Sequence, residues 1–561
     1  MYWRRWLSVV LLLSVVMSAD ALPPQWAFRV SFTDKLGSAD INNPISFLSQ
    51  RALDRRNRQH IVVDTTDLPV SPRYIDSVLT ITGGIFHGTS RWMNNCVVLL
   101  DDSSKILQLQ GRPYIKSIAL VAFFDTGLHL RPAQNKFSKE EQLVPGPLQF
   151  RTTGSAGYYG QAYDQTAMVN GDYLHDLGLK GEGVLIAVLD AGFVFGDTHL
   201  GLDSLRTSGR LVDKYDFLLR DTNTVFSFSA HGFRALSTMA GNLPGTYVGA
   251  APHAMYALYR TEEEAGNDRL IEMDNFVAGA ERADSLGADV ISSSLGYVDF
   301  QNPFFIYSQA ELDGQTTFVS KAAMLATRKG ILFVSSAGNE GANGLVSPGD
   351  CDGVLTVGMV NFSENPDPGS GYGPNALGHV KPNVATAGAP AYVFSDGGSG
   401  IGVAVGTSFA TPQIAGWAAC LLQGAKPGTT PYQVRDAINR SADHYSNPGV
   451  QIGYGIPDFK VASFLLGVSD TTKTPATDDF IAVWPNAFTT DLRVEINAAE
   501  NETIEFCMID MGGRIVWRAG RAFVKGKQWW HMAVPGGLPG GLYLFKAAGK
   551  NQQQVVKLVK I

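Results

Sequence analysis

The chain has 561 residues, 45% of them hydrophobic and 17% charged, which is enough apolar material for several cores and too little charge for a disordered chain. Its formal charge of −7 offers no global field to nucleic acid or an anionic membrane, so nucleic acid is not an expected partner. The 60 glycines follow no collagen-like period, and four scattered cysteines (Cys96, Cys351, Cys420, Cys507) suit neither a disulfide framework nor a metal knot, so buried free thiols are expected.

In chain order, Arg4 and Arg5 precede an apolar run from Trp6 to Met17 and a small-x-small sequence, Ala19-Asp20-Ala21. This predicts a signal peptide over residues 1–21, since the run is too short to span a bilayer. Residues 22–150 mix short β-rich runs (Trp26–Phe32, Cys96–Leu100, Ile118–Phe124) with a charged helical stretch, Pro44–Asn57. A small α+β domain follows, ending in a polar, accessible linker over Pro132–Gly146.

Over residues 151–467 the pattern changes. Apolar runs at Val184–Leu189, Ala288–Ser292 and Ile331–Ser335 alternate with helical segments such as Asp268–Leu286 and Thr317–Lys329. Strands that are apolar on both faces and separated by helices predict an α/β domain, a parallel sheet sandwiched by helices. Residues 468–479, rich in Asp, Thr and Pro, read as a linker. Residues 480–561 alternate short strands with Gly and Pro turns, which predicts a β-sandwich.

Three segments of the central domain carry the candidate chemistry. Asp190 ends a buried strand, where a carboxylate is costly without a partner such as a histidine. His231 stands in Ala230-His231-Gly232, ahead of the small-residue stretch Arg234–Gly241. Ser408 stands in Gly406-Thr407-Ser408-Phe409-Ala410-Thr411-Pro412, before the apolar run Gln413–Leu422, and so at a helix start that helps to polarise its hydroxyl. Asp, His and Ser in that order, 41 and 177 residues apart, are a nucleophile, its base and the carboxylate that orients the base.

These residues give the central domain its resemblance to the subtilisin-like (S8 family) serine proteases. The segment 406–412 is similar to the family's serine signature, and Ser335-Ser336-Ala337-Gly338-Asn339 to the segment ending in its oxyanion asparagine. The resemblance implies Asp190, His231 and Ser408 as the triad and Asn339 as an oxyanion donor. It also implies Ser293, Ser294, Leu295 and Gly296 as an edge strand that pairs with an extended substrate, and Ser336, Ala337 and Gly338 as pocket wall. Val248–Ala254, Lys381-Pro382-Asn383 and Ala387-Gly388 resemble further family segments. Two departures stand out: Ala191 replaces a usual Thr or Ser, and Phe233 replaces a usual Thr, where it is expected to reshape the pocket beside the histidine.

Residues 22–150 resemble the propeptides of a bacterial subgroup of the family, in Phe47–Arg51 and Asp67–Ser71. That implies an intramolecular inhibitor of the active site; a permanent accessory domain is the other reading. The last 80 or so residues resemble the C-terminal sorting domain of type IX secretion, in Trp484-Pro485-Asn486, Phe488, Asp510–Gly513, Leu538–Tyr543 and Lys557–Ile561. An ordinary β-sandwich module is the alternative. The resemblance as a whole implies a secreted or surface-associated endopeptidase, exported through the periplasm of a Gram-negative bacterium, acting on protein or peptide substrates and engaging the secretion machinery through its C-terminal domain. No cofactor is required and structural calcium is left open. The rival from another class is a non-catalytic surface binding protein on the same scaffold. His87-Gly88-Thr89-Ser90 looks like a histidine motif but is read as a turn. Asp197 with His199 is read as a solvated loop rather than a metal pair, and Glu262-Glu263-Glu264 as a solvated face.

Overall fold

The computed structural model describes residues 25–124, 136–137, 155–264, 266, 268–300, 305–395, 397–468, 480–484, 487–488, 491–534 and 536–560. The expected signal peptide lies outside these residues, as does the expected linker 468–479 except for its first residue, Val468, which is buried in the central domain's core rather than in a linker.

The N-terminal unit is an antiparallel sheet of β1 (Gln25–Phe32), β2 (Ile85–Ser90), β3 (Asn95–Leu100) and β4 (Ile115–Phe124), in the order β2-β3-β1-β4. Two helices accompany it, α1 (Gln50–Arg58) and α2 (Pro72–Thr82). The two-residue period of β1 sorts its side chains: Phe28, Val30 and Phe32 fill the unit's own core, while Ala27 faces Ile271 of the central domain. Ser49 caps α1 by accepting from the Ala52 N–H and donates its hydroxyl hydrogen to Leu286 O, so one residue starts the helix and docks it. The helix therefore begins at Gln50; Pro44–Ser46 is only a 3₁₀ turn. His87–Ser90 lie in β2 rather than in a turn, facing a central-domain helix, with His87 Nε2 3.1 Å from Asn275 Oδ1.

The central domain is built on seven parallel strands: β5 (Leu185–Asp190), β6 (Leu211–Asp216), β7 (Met255–Arg260), β8 (Val290–Ser293), β9 (Leu332–Ser336), β10 (Leu355–Val360) and β11 (Val384–Ala387). Their order is β11-β10-β9-β8-β5-β7-β6. In β5 every residue is buried, because alternate side chains enter opposite cores: Ile186 and Val188 on one face, Leu185, Ala187 and Leu189 on the other. Helices α3 (His231–Ala240) and α6 (Thr407–Gly424) cover the first face. Helices α4 (Leu270–Leu286) and α5 (Phe318–Arg328) cover the second. Burial of α6 is continuous from Thr407 to Leu421, as expected of a helix that is apolar all round. This is the subtilisin-like α/β fold the sequence led us to expect.

The C-terminal region pairs a three-stranded sheet (Ile481–Trp484, Asp491–Ala498, Gly526–Ala533) with a five-stranded one (Ala487–Phe488, Glu502–Asp510, Ile515–Phe523, Gly541–Ala548, Gln553–Lys560). Val494 and Ile496 from the first sheet share one core with Phe506, Met508 and Phe545 from the second. All four cysteines are free; Cys96, Cys351 and Cys420 are buried. Among the described residues no helix is long and apolar enough to cross a membrane, and no group of three or more acidic, His or Cys side chains is arranged to hold a metal ion.

Candidate active site

The C-terminal ends of β5, β8 and β9 open toward the N-termini of α3 and α6, where parallel sheets gather polar groups. Asp190, the last residue of β5, is fully buried, and its Oδ1 accepts from the Ala191 N–H at 2.7 Å. The same oxygen lies 2.7 Å from Nδ1 of His231, also fully buried, at the start of α3. Gly232 permits that approach: a Cβ there would stand 2.5 Å from Gly192 O and 2.7 Å from Asp190 Cβ. With Nδ1 committed to the carboxylate, proton exchange in a triad falls to Nε2.

Ser408 enters from the other side, in the first turn of α6. Gly406 precedes it with φ of 150°, a conformation that side chains rarely adopt, and so shapes the turn into the helix. Ser408 Oγ donates to Ser294 O at 3.2 Å, and Ser294 Oγ donates to Ser408 O at 2.7 Å, which ties α6 to the segment leaving β8. The ring of Phe409, next in sequence, lies 5.6 Å from that of His231, so the start of α6 abuts the imidazole. Asn339 Oδ1 accepts from the Thr407 N–H at 3.0 Å and the Thr407 hydroxyl at 3.1 Å. Its carbonyl end is thus anchored, and its NH₂ end is the one suited to an oxyanion.

The structure revises several expectations here. The strand Val290–Ser293 is central to the sheet, with Ser293 paired on both sides; Ser294, Leu295 and Gly296 lie beyond its end, before a bridge between Tyr297 and Ser347. Ser336, Ala337 and Gly338 lie at and just beyond the end of β9, with a Cβ at Gly338 2.2 Å from Glu340 Oε2. Phe233 does not border the imidazole pocket; it is fully buried among Phe195, His199 and Phe394, because it points into the core face of α3. His199 is buried too, accepting from the Gly201 N–H and stacked on Phe394, so it is not in a solvated loop.

The largest revision concerns Glu262-Glu263-Glu264 and the linker. Glu262 is 2% exposed, and its Oε1 lies 2.6 Å from Nζ of Lys136, a residue expected to be accessible. Phe137, 6% exposed, stacks on His231 at 3.9 Å between centroids and 17° between planes. Sequence pattern had hidden both, since one lysine and one phenylalanine in a polar stretch carry no periodicity. A cavity of about 490 Å³ lies elsewhere, between β2–β3 and α4, lined by Phe86, His87 and Asp274.

The subtilase family (peptidase S8) matches residues 181–456, and the peptidase S8 propeptide domain of Bacteroidota matches residues 27–139. The central domain is a subtilase-family peptidase domain. It is 30% identical over 286 residues to the thermophilic serine proteinase of Bacillus sp. (strain AK1), covering 51% of this chain and 62% of that protein. Subtilisin NAT of Bacillus subtilis subsp. natto is 29% identical over 279 residues, 49% of this chain and 64% of that one. The subtilisin of Bacillus pumilus is 28% identical over 295 residues, 52% of this chain and 94% of its own length. The chain thus spans less than two thirds of the first two relatives, which match about half of it.

Proposed function

We propose that the chain is the precursor of a secreted serine endopeptidase. The observation that carries the reading is the buried hydrogen bond from His231 to Asp190 beside the helix start that holds Ser408, within a subtilase domain. In this reading Ser408 Oγ turns from Ser294 O, gives its proton to His231 Nε2 and attacks the scissile carbonyl. Asp190 holds the tautomer and stabilises the imidazolium. Asn339 and the backbone N–H groups at the start of α6 donate to the oxyanion. His231 protonates the leaving amine, and water then hydrolyses the acyl-enzyme. The propeptide domain acts as the intramolecular inhibitor, with Phe137 over the imidazole. A fluorophosphonate should label Ser408 in the matured protein and not in Ser408→Ala, whose peptide hydrolysis should fall roughly a million-fold; equal labelling of both proteins sinks the assignment.

Export through the periplasm of a Gram-negative bacterium, with residues 1–21 removed and residues 480–561 read by a type IX machinery, completes the proposal. Mass spectrometry of the termini of the extracellular form tests it; a mature form that begins near Leu22 would refute the propeptide role.

A further inference from the structure

Lys136 sits in a site built to hold it. Its Nζ is 2.6 Å from Glu262 Oε1, 2.7 Å from Asp268 Oδ1 and 3.4 Å from both oxygens of Glu272. The three acids are 2%, 9% and 3% exposed, so one ammonium faces three carboxylates removed from water. Two of them are also fixed by other groups. Glu262 Oε2 accepts from the Tyr297 hydroxyl at 3.1 Å, and Glu272 accepts from the N–H groups of Glu263 and Arg269 at 2.9 and 2.7 Å. Burial pushes all three carboxyls up, Glu262 to about 8, although Lys136 pulls them down. A pocket of this kind is unfavourable when empty and rewards a cation.

The backbone shows what brings the cation. The Lys136 N–H donates to Glu264 O at 3.0 Å, so a backbone bond as well as the ion pairs seats this residue against the chain leaving β7. The next residue, Phe137, covers His231. The direction from Lys136 to Phe137 therefore runs from the acidic pocket toward His231, the candidate base.

We propose that Glu262, Asp268 and Glu272 form a specificity subsite that takes a lysine or arginine side chain of a peptide substrate, one residue before the side chain that covers His231 and on the N-terminal side of the bond cut. In the precursor Lys136 occupies it. The inference rests on the endopeptidase reading and adds what that reading lacks, a substrate class.

The test uses enzyme matured from the full chain and four peptides that differ only at the residue before a phenylalanine: Lys, Arg, Gln or Glu. The expected kcat/KM for Lys and Arg exceeds that for Gln by about 10- to 100-fold, the range of a hydrogen bond to a charged group, with Glu slower still. In the Glu262→Gln/Asp268→Asn double variant the Lys-to-Gln ratio should collapse toward one. The peptide series on the unaltered enzyme decides the matter even where that variant fails to fold. Equal turnover of the Lys and Gln peptides overturns the subsite and leaves the endopeptidase reading standing. No turnover of any peptide, with no labelling of Ser408 by a fluorophosphonate, overturns both.

Discussion

Around His231 the candidate triad makes one short buried pair, the Asp190 carboxylate and the imidazole it holds, packed against the rings of Phe137 and Phe409. The face of α4 under the N-terminal unit buries Asp274, Glu281 and Asp284 against Arg29, Arg91, Arg55 and Arg56. The first pair lies within one domain. The second set is divided, with arginines on the N-terminal unit and carboxylates on the subtilase domain; only the Lys329 pairs to Asp64 and Asp67 run the other way among the described residues. The division suits a contact that must form specifically and later part. Charges released into water are resolvated, whereas an apolar face of the same size would be left sticky. Ion pairs of this sort add little net stability, yet removing one partner strands the other, so they specify the docked arrangement strongly.

The sharpest way to separate the two regions is to damage one and read both. Asp190→Asn keeps the shape of the buried pair but favours the wrong tautomer, and kcat for peptide hydrolysis should fall about 10⁴-fold. Amide exchange in α1, which reports docking, should stay as it was in the unprocessed chain. If exchange in α1 rises as well, the cleft and the docking face are one cooperative unit and the contrast fails.

Asp284→Asn does the reverse. Its carboxylate meets Arg55 at 2.5 Å and Arg56 at 2.8 Å, with all three side chains at 1% exposure or less. Breaking such a buried set costs about 3–5 kcal/mol, so α1 should exchange roughly 10²- to 10³-fold faster in a full chain carrying Ser408→Ala, while the matured enzyme keeps its kcat. The effect has a pH signature. Burial alone would raise the Asp284 carboxyl, but Arg55 and Arg56 overcome it and hold the group below its ordinary 3.8. A lowered carboxyl contributes fully above its unfolded pKa and is lost as pH falls through the folded value. The gap between the chain that keeps Asp284 and the Asp284→Asn variant should therefore be flat from pH 7 to about 4 and close only below that.

The two regions also differ in how far the sequence exposes them. The strand that delivers Asp190, the small residue that lets α3 approach it and the glycine turn into α6 are each dictated by a local requirement, a buried run, a missing Cβ or an unusual φ, and local requirements leave motifs. The seven-stranded sheet was legible for the same reason, as uninterrupted apolar runs between helices. The docking face and the acidic pocket are held by pairs far apart in the chain, such as Arg55 with Asp284 and Lys136 with Glu272. Each member resembles an ordinary surface charge until its partner arrives. Glu262 is the clearest case: its neighbours in sequence are acidic, which suggests solvent, while its neighbours in space are Lys136 and the Tyr297 hydroxyl. Phe137 fails to announce itself in the same way, because a single aromatic in a polar stretch has no period.

The smallest effect marks the edge of the docking face. Arg51 pairs with Asp289 where the side chains are 33% and 17% exposed, and Asp289 also accepts from the Leu185 N–H at 2.9 Å, so it keeps a partner if the arginine goes. A pair this open to water is screened and typically contributes under about 1 kcal/mol. Arg51→Ala should accordingly speed exchange in α1 by no more than about fivefold, and high salt should erase most of that difference. Were Arg51→Ala to match Asp284→Asn, burial would not be what separates specifying pairs from incidental ones, and the docking face would have to be explained by the number of its charges rather than by where they are buried.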